Sequence, residues 1–217
     1  MKDEAMLTEG MGQRLNALLV QAGLQPLDER TTAQFEVYLS LILRWNARLN
    51  LTSIRTVDAI LSKHLVESVA CARALPDGIA SLLDFGSGAG LPGIPIALCR
   101  PEIAVTLAES QGKKAAFLQE AVRVLGISAE VFAGRAETLG MVYGCVTLRA
   151  VDKMPRAVAA AARLAAPSGW LALMTTRPEI GTLQKAAGAQ VTWNAPARLP
   201  FSDDRILTLG RRISSAA

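Results

Sequence analysis

The sequence predicts an α/β fold: a doubly wound, mostly parallel sheet with a helical N-terminal extension and an antiparallel C-terminal hairpin. Three observations predict it. Up to about Leu75 the apolar residues recur three or four positions apart, the period of a helix with one buried face. After Pro76 short apolar runs of strand length alternate with helical segments, the pattern of parallel strands covered by helices on both faces. Near the C-terminus QVTWNAPARLP and RILTLGRR follow each other with no helical segment between them, which suits an antiparallel closure.

The elements follow in order, and the chain divides into a helical extension over 1–76 and an α/β unit over 77–217. In the extension Phe35, Leu39, Ile42, Asn46 and Leu49 mark one helix face. Asp28 or Thr31 supplies the N-cap, and Thr31 with Gln34 fits a capping box. A second helix over Thr56 to Ala74 presents Ile60, Leu61, Leu65 and Ala72. Strands are expected at 81–85, 103–108, 129–133, 144–148 and 170–174, and helices at 92–100, 112–125, 153–165 and 178–187. The Ala-rich run AVAAAARLAA reads as a packed helix because Arg156 and Arg163 give it a polar side.

Composition narrows the class. The chain has 217 residues, 51% of them hydrophobic and 19% charged, which is the balance of an ordered globular protein. The formal net charge of +4 is compatible with nucleic acid without singling it out. The start, MKDEAMLTEG, is acidic and lacks the apolar core of a secretory signal. No charge-free apolar run approaches the roughly 20 residues of a membrane span. Cys71, Cys99 and Cys145 are far apart and form no CxxC pair, so neither a metal site nor a disulfide framework is expected, and the cytoplasm is the compartment that fits.

The informative stretch is LLDFGSGAGLPGIPIA, Leu82 to Ala97, with four glycines directly after an apolar run. Such a turn brings backbone close to a ligand at the carboxyl end of a strand, where open α/β sheets bind. Gly88 to Gly93 satisfies G-x-G-x-x-G, yet that pattern alone is weak, and a turn that merely packs helix on strand also uses glycine. Asp84 ends the strand two residues before Gly86, and a carboxylate pointing into the pocket repels a pyrophosphate while suiting an ammonium group. Framed as D-x-G-x-G-x-G, with Gly86, Ser87, Gly88 and Gly90, the loop fits S-adenosylmethionine. That ligand has no phosphate, a cationic amine and sulfonium, and a small carboxylate for the loop N–H groups. Pro92 is placed to open the following helix. Glu109 ends the next strand 19 residues beyond Gly90, the position of a ribose-binding acid. After the third strand, Ala136 and Glu137 offer a backbone N–H and a carboxylate for an adenine edge.

These residues resemble a known family, the small-subunit ribosomal RNA methyltransferases that methylate guanine N7 (RsmG, also GidB). The likeness runs through WNARLNLTS (45–53), KHLVES (63–68), the glycine stretch, ESQGKKAAFL (109–118), GRAE (134–137) and LRAV (148–151). Glu67 stands where that family usually has aspartate. The resemblance implies a class I, Rossmann-like methyltransferase fold and a cofactor held by Gly86, Leu91, Ala136, Glu137 and Arg149. Its implied substrate is 16S ribosomal RNA, in the small ribosomal subunit or an assembly intermediate. Arg149 would hold the cofactor carboxylate or an RNA phosphate at the pocket mouth.

The chemistry so implied needs little acid–base help. Guanine N7 carries a free in-plane lone pair, so no catalytic residue is expected beyond those that align the reactants, with Arg149 the best pocket candidate. Exocyclic-amine methylation calls for an Asn/Asp-Pro-Pro-aromatic motif after the fourth strand, where this chain has LRAV. Cys145 begins a strand and reads as core rather than as a C5-methylation nucleophile. His64 reads as a helical histidine satisfied by a neighbour. Arg44, Arg48, Arg55, Lys63, Lys153, Arg156, Arg177 and Arg198 are candidate phosphate contacts, each competing with a solvated surface role, and Trp45 and Trp193 read as packing residues. The alternatives are methylation of another RNA or a small molecule on the same fold, a nicotinamide-dependent oxidoreductase that Asp84 argues against, and a non-catalytic RNA-binding module.

Overall fold

The computed structural model describes residues 10–214, so the acidic N-terminal run over 1–9 lies outside the described residues. Two helices open the fold, α1 (Met11–Gln21) and α2 (Glu29–Leu49). Asp28 caps α2 by accepting the Thr31 N–H at 2.9 Å. The expected Thr31–Gln34 capping box does not form, because the Gln34 amide instead donates to the Leu125 carbonyl at 2.9 Å and ties α2 to the α/β unit. Thr56 caps α3 (Val57–Ile60), which runs through a π-helical stretch, Leu61–Val66, into α4 (Glu67–Ala74). That π stretch had no signal in the apolar spacing, which a single helical period describes equally well.

The α/β unit then alternates as expected: β1 (Ser81–Phe85), α5 (Gly93–Cys99), β2 (Ala104–Ala108), α6 (Gly112–Leu125), β3 (Ala129–Phe132), a 3₁₀ turn (Ala136–Thr138), β4 (Tyr143–Arg149), α7 (Met154–Leu164), β5 (Ala165–Thr176) and α8 (Ile180–Ala187). Three more strands close it, β6 (Val191–Trp193), β7 (Ala197–Arg198) and β8 (Arg205–Arg212). The sheet order is β3-β2-β1-β4-β5-β8-β6, with β7 also paired to β8. β1 to β5 pair in parallel, and β8 runs antiparallel between β5 and β6. The C-terminal closure is thus antiparallel as the sequence suggested, with its first arm split in two where Pro196 breaks the strand. Strand order reverses between β1 and β4, which opens a crevice at their carboxyl ends.

Two apolar layers sandwich the sheet. On one face Leu15, Tyr38, Ile42 and Leu65 of the extension pack with Leu82, Ile94, Leu107 and Phe117 of the α/β unit in one continuous cluster. On the other, Leu83, Phe85 and Leu148 pack against Val158 and the alanines of α7. Each such large side chain contributes about 1.5–3 kcal/mol on burial. The extension is therefore fastened to the sheet by shared core. Cys145 lies fully within it, and Trp45 packs edge-on to Phe117 at 5.7 Å, both as the packing reading expects. Trp193 lies over Gly210, where a Cβ would stand 2.7 Å from its ring. Among the described residues no helix is long and apolar enough to cross a membrane.

Candidate functional site

A cavity of about 430 Å³ opens at the carboxyl ends of β1, β2 and β4. Its floor is the glycine loop, Gly86 to Ala89 with Leu91, and one wall is Glu109 with Ser110 and Gln111. The opposite wall belongs to the extension, through Leu51, Thr52, Ser53 and His64. A second lobe of about 270 Å³ continues it along Gly86, Ser110, Val151 and Asp152 toward Ala136 and Glu137. Together they have the size of a small-molecule site.

The loop is shaped for close approach. Gly86 and Gly88 adopt φ of +71° and +57°, a conformation that L side chains rarely take. A Cβ on Gly88 would meet only the Gly86 carbonyl, at 3.9 Å, so its backbone faces open space. Ser87 is buried and ties the turn down: its hydroxyl donates to the Asp84 carbonyl at 2.9 Å and its N–H to the Ala108 carbonyl at 2.9 Å. Tyr38 of the extension braces the loop from below by donating to the Ala89 carbonyl at 2.6 Å.

One sequence expectation is corrected here. The Asp84 carboxylate does not point into the cavity. It lies on the same sheet face as Leu82 and reaches beneath α5, accepting the Gly93 N–H at 3.1 Å and the Thr147 hydroxyl at 2.9 Å. Side chains leave a strand perpendicular to the sheet, not along its axis, and that geometry turns Asp84 away from a ligand beyond the strand end. Burial raises its pKa to about 6 against the opposing hydrogen bonds. Its part is to hold loop and helix together, and an ammonium partner in the cavity lies out of its direction. At Gly90 a Cβ would stand 2.5 Å from Ile94 and 3.1 Å from the Tyr38 hydroxyl, so a glycine there lets the loop pack closely on α5.

Glu109 stays at the cavity wall, 6% exposed. Its Oε2 accepts the Gly88 N–H at 2.9 Å and its Oε1 the Gln111 N–H at 2.7 Å, which fixes the carboxylate and leaves each oxygen one further lone pair. Ala136 and Glu137 sit in the second lobe, Ala136 buried and Glu137 exposed.

Arg149 ends β4 and is no free arm at the mouth. Its side chain is 10% exposed and donates to the Lys63 carbonyl at 2.5 Å, to Ser68 Oγ at 3.3 Å and to Glu67 Oε2 at 3.0 Å. It also contacts His64 Nδ1 at 3.0 Å, while His64 Nε2 lies 2.7 Å from the Thr52 hydroxyl. A guanidinium only donates, so Nδ1 is the acceptor, and the single imidazole proton sits on Nε2 and points at Thr52. Burial and the Arg149 charge lower the His64 pKa to about 3. His64 is therefore satisfied by neighbours, as the sequence reading expects, although it also lines the cavity. Glu67 is fully buried between Arg149 and Arg205, whose guanidinium stands 2.7 Å from Oε1 in an ion pair without hydrogen-bond alignment. Burial lifts the Glu67 pKa to about 7 against the pull of both cations.

Sequence reasoning missed the wall built by the extension. Asn46 accepts the Thr52 N–H at 3.0 Å and donates to the Ile54 carbonyl at 3.3 Å, which folds the loop over 50–54 onto the cavity. The signal was the WNARLNLTS run itself, whose buried Asn46 sits on an otherwise apolar face. The eight candidate phosphate contacts are all exposed. Arg55 is tied to Asn46 and Asn50, and Arg198 pairs with Asp203; the other six have no ion pair among the described residues.

The family model described as "GidB: rRNA small subunit methyltransferase G" matches residues 31–206. A Xanthomonas campestris protein named Ribosomal RNA small subunit methyltransferase G is 37% identical over 206 residues, covering 92% of this chain and 93% of that one. A Xanthomonas oryzae protein of the same name is 42% identical over 153 residues, covering 69% and 71%. Among solved structures, a SAM-dependent methyltransferase from Aquifex aeolicus superposes with a TM-score of 0.58 at 16% identity, over 71% of this chain and 93% of that one. A predicted O-methyltransferase from Agrobacterium tumefaciens also reaches 0.58, at 18% identity over 69% and 82%. At such identities these two speak for the fold.

Proposed function

The chain belongs to the rRNA small subunit methyltransferase G family and is an S-adenosylmethionine-dependent methyltransferase, and from that premise we propose that it methylates N7 of a guanine in 16S ribosomal RNA by aligning two reactants, without a catalytic base. The cofactor supplies a methyl group already activated by its sulfonium. Gly86, Ser87, Gly88 and Leu91 form its floor, Glu109 takes the ribose hydroxyls on its remaining lone pairs, and Ala136 with Glu137 meets the adenine edge. The open face of Gly88 and the fixed Glu109 carboxylate fit that molecule, whereas a pyrophosphate would face the same carboxylate.

The observation that carries the absence of a base is His64. Its one lone pair is taken by Arg149 and its basicity is far below the working range, so it removes no proton at neutral pH. Cys145 lies in the core with its thiol pushed well above the ordinary range, which leaves no thiolate for C5 chemistry. Guanine N7 is the acceptor that needs neither. Lys153 and Arg156, exposed on the wall of the second lobe, would meet phosphates of RNA in the small subunit or its cytoplasmic assembly intermediate. Mapping 7-methylguanosine in 16S rRNA from cells with and without the chain tests this: one modified guanine should disappear in its absence. Identical maps would refute the reading.

A further inference from the structure

A separate cavity of about 280 Å³ lies beside the ends of β4 and β5. It meets the cofactor cavity at Arg149, Ala150 and Val151, so a group seated in it adjoins the place where the methyl donor binds. Val151, Met154, Met174 and Leu199 give it apolar walls, against which a flat base can stack.

Its polar groups are few and opposed in charge. Glu179 Oε2 accepts from the Thr175 hydroxyl at 3.0 Å and the Thr176 hydroxyl at 2.7 Å, which orients the carboxylate. Those same bonds hold its pKa below the ordinary carboxylate range and keep it ionised. Oε1 accepts no hydrogen bond from any described residue. Arg205 is paired with the buried Glu67, and its side chain, 30% exposed, makes no side-chain hydrogen bond among the described residues. One wall therefore offers an acceptor-only group and another a donor-only group.

Resting on the guanine-N7 reading above, we infer that this cavity receives the extruded target guanine, with Glu179 accepting from N1–H and the N2 amino group and Arg205 donating to O6. Guanine presents two adjacent donors beside one acceptor on its Watson–Crick edge, which matches a carboxylate next to a guanidinium. Adenine presents a lone pair at N1 and no amino group at C2, so it would set an unprotonated nitrogen against the Glu179 carboxylate. A site built to bind such donors rejects a base that lacks them. N7 lies beside O6 on the neighbouring Hoogsteen edge, and its lone pair stays free as long as Arg205 donates to O6 alone.

The test uses 16S rRNA assembled by ligation with guanosine or inosine at the methylated position. Inosine keeps N1–H, O6 and N7 and lacks only the N2 amino group. For the parent chain, kcat/KM should fall roughly 10- to 100-fold with inosine, the worth of a hydrogen bond to a charged group. Glu179→Gln should lower the guanosine rate by a similar factor and bring the two substrates to within about threefold, with S-adenosylmethionine affinity unchanged. Should Glu179→Gln fold poorly by melting temperature, Thr176→Val removes one of the two hydroxyls that orient the carboxylate while retaining the carboxylate itself, and a partial narrowing is expected. An unchanged guanosine-to-inosine ratio in a folded variant overturns the inference, since a merely structural role moves both substrates alike. A parent chain that forms no 7-methylguanosine on either RNA sinks the underlying functional reading, a result distinguishable without any variant.

Discussion

Methyl transfer should show no histidine limb between pH 6 and 8.5, and the size of the missing effect can be worked from the structure. The pKa of His64 stands at about 3, so at pH 6 only about one molecule in a thousand carries an imidazolium. A histidine base with its ordinary pKa of about 6.5 would instead raise the rate about fourfold across that window as it lost its proton. Two groups near the site titrate in or at the edge of this window: Asp84, lifted by burial to about 6, and Glu67, lifted by burial to about 7. Below that value it is protonated and its ion pairs with Arg149 and Arg205 weaken; above it they are complete. Any limb centred near pH 7 therefore belongs to Glu67, survives His64→Ala and vanishes in Glu67→Gln. The assay is single-turnover transfer at saturating cofactor and RNA, read as 7-methylguanosine formed. A fourfold climb in the parent that disappears in His64→Ala would refute the reasoning and make His64 the base.

Three further outcomes are expected. Glu109→Ala removes the fixed carboxylate at the cavity wall, and calorimetry should find S-adenosylmethionine binding weaker by roughly 1.5–3 kcal/mol, while unchanged affinity would remove Glu109 from the cofactor site. Gly93→Ala sets a Cβ 2.6 Å from Asp84 Oδ2 and 2.8 Å from Asp84 Cβ, an overpacking that should cost about 1–3 kcal/mol in chemical denaturation, and a neutral result would mean that the Asp84 anchor shifts freely. A transcript with the target guanine locked in a continuous duplex should not be methylated, because N7 faces the deep, narrow major groove of A-form RNA; efficient turnover on it would contradict extrusion.

The parts of the fold that follow from local rules were legible in the sequence. Strand length, helical period and the glycine turn come from residues near one another, and β1, α6 and the Asp28 cap stand where those rules put them. The site was legible as a set of positions more than as a set of directions. Asp84 and Glu109 read alike, as acids ending consecutive strands beside a glycine loop. The structure turns one beneath α5 and leaves the other at the cavity, because pleat and register decide which way each side chain leaves its strand. The partners of Arg149 were beyond reach, since they join residues more than eighty positions apart.

That long-range contact explains why the extension is part of the site. A π stretch offsets successive carbonyls from their usual partners, and here the Lys63 and His64 carbonyls both face the Arg149 guanidinium. Arg149 ends the strand that lines the cofactor cavity, and the next residue, Ala150, takes a left-handed φ of +50° to begin the loop shared by both cavities. Glu67, one residue beyond the π stretch, completes the joint by pairing with Arg149 and with Arg205 of β8. Three separated segments, the extension, the end of β4 and the start of β8, are thus held at one buried carboxylate. Removing one partner of such a network leaves an uncompensated charge in the interior, which is strongly destabilising, typically by about 3–5 kcal/mol. The joint therefore sets the relative position of the two cavities, and alignment of two reactants is the main thing this reaction asks of the protein.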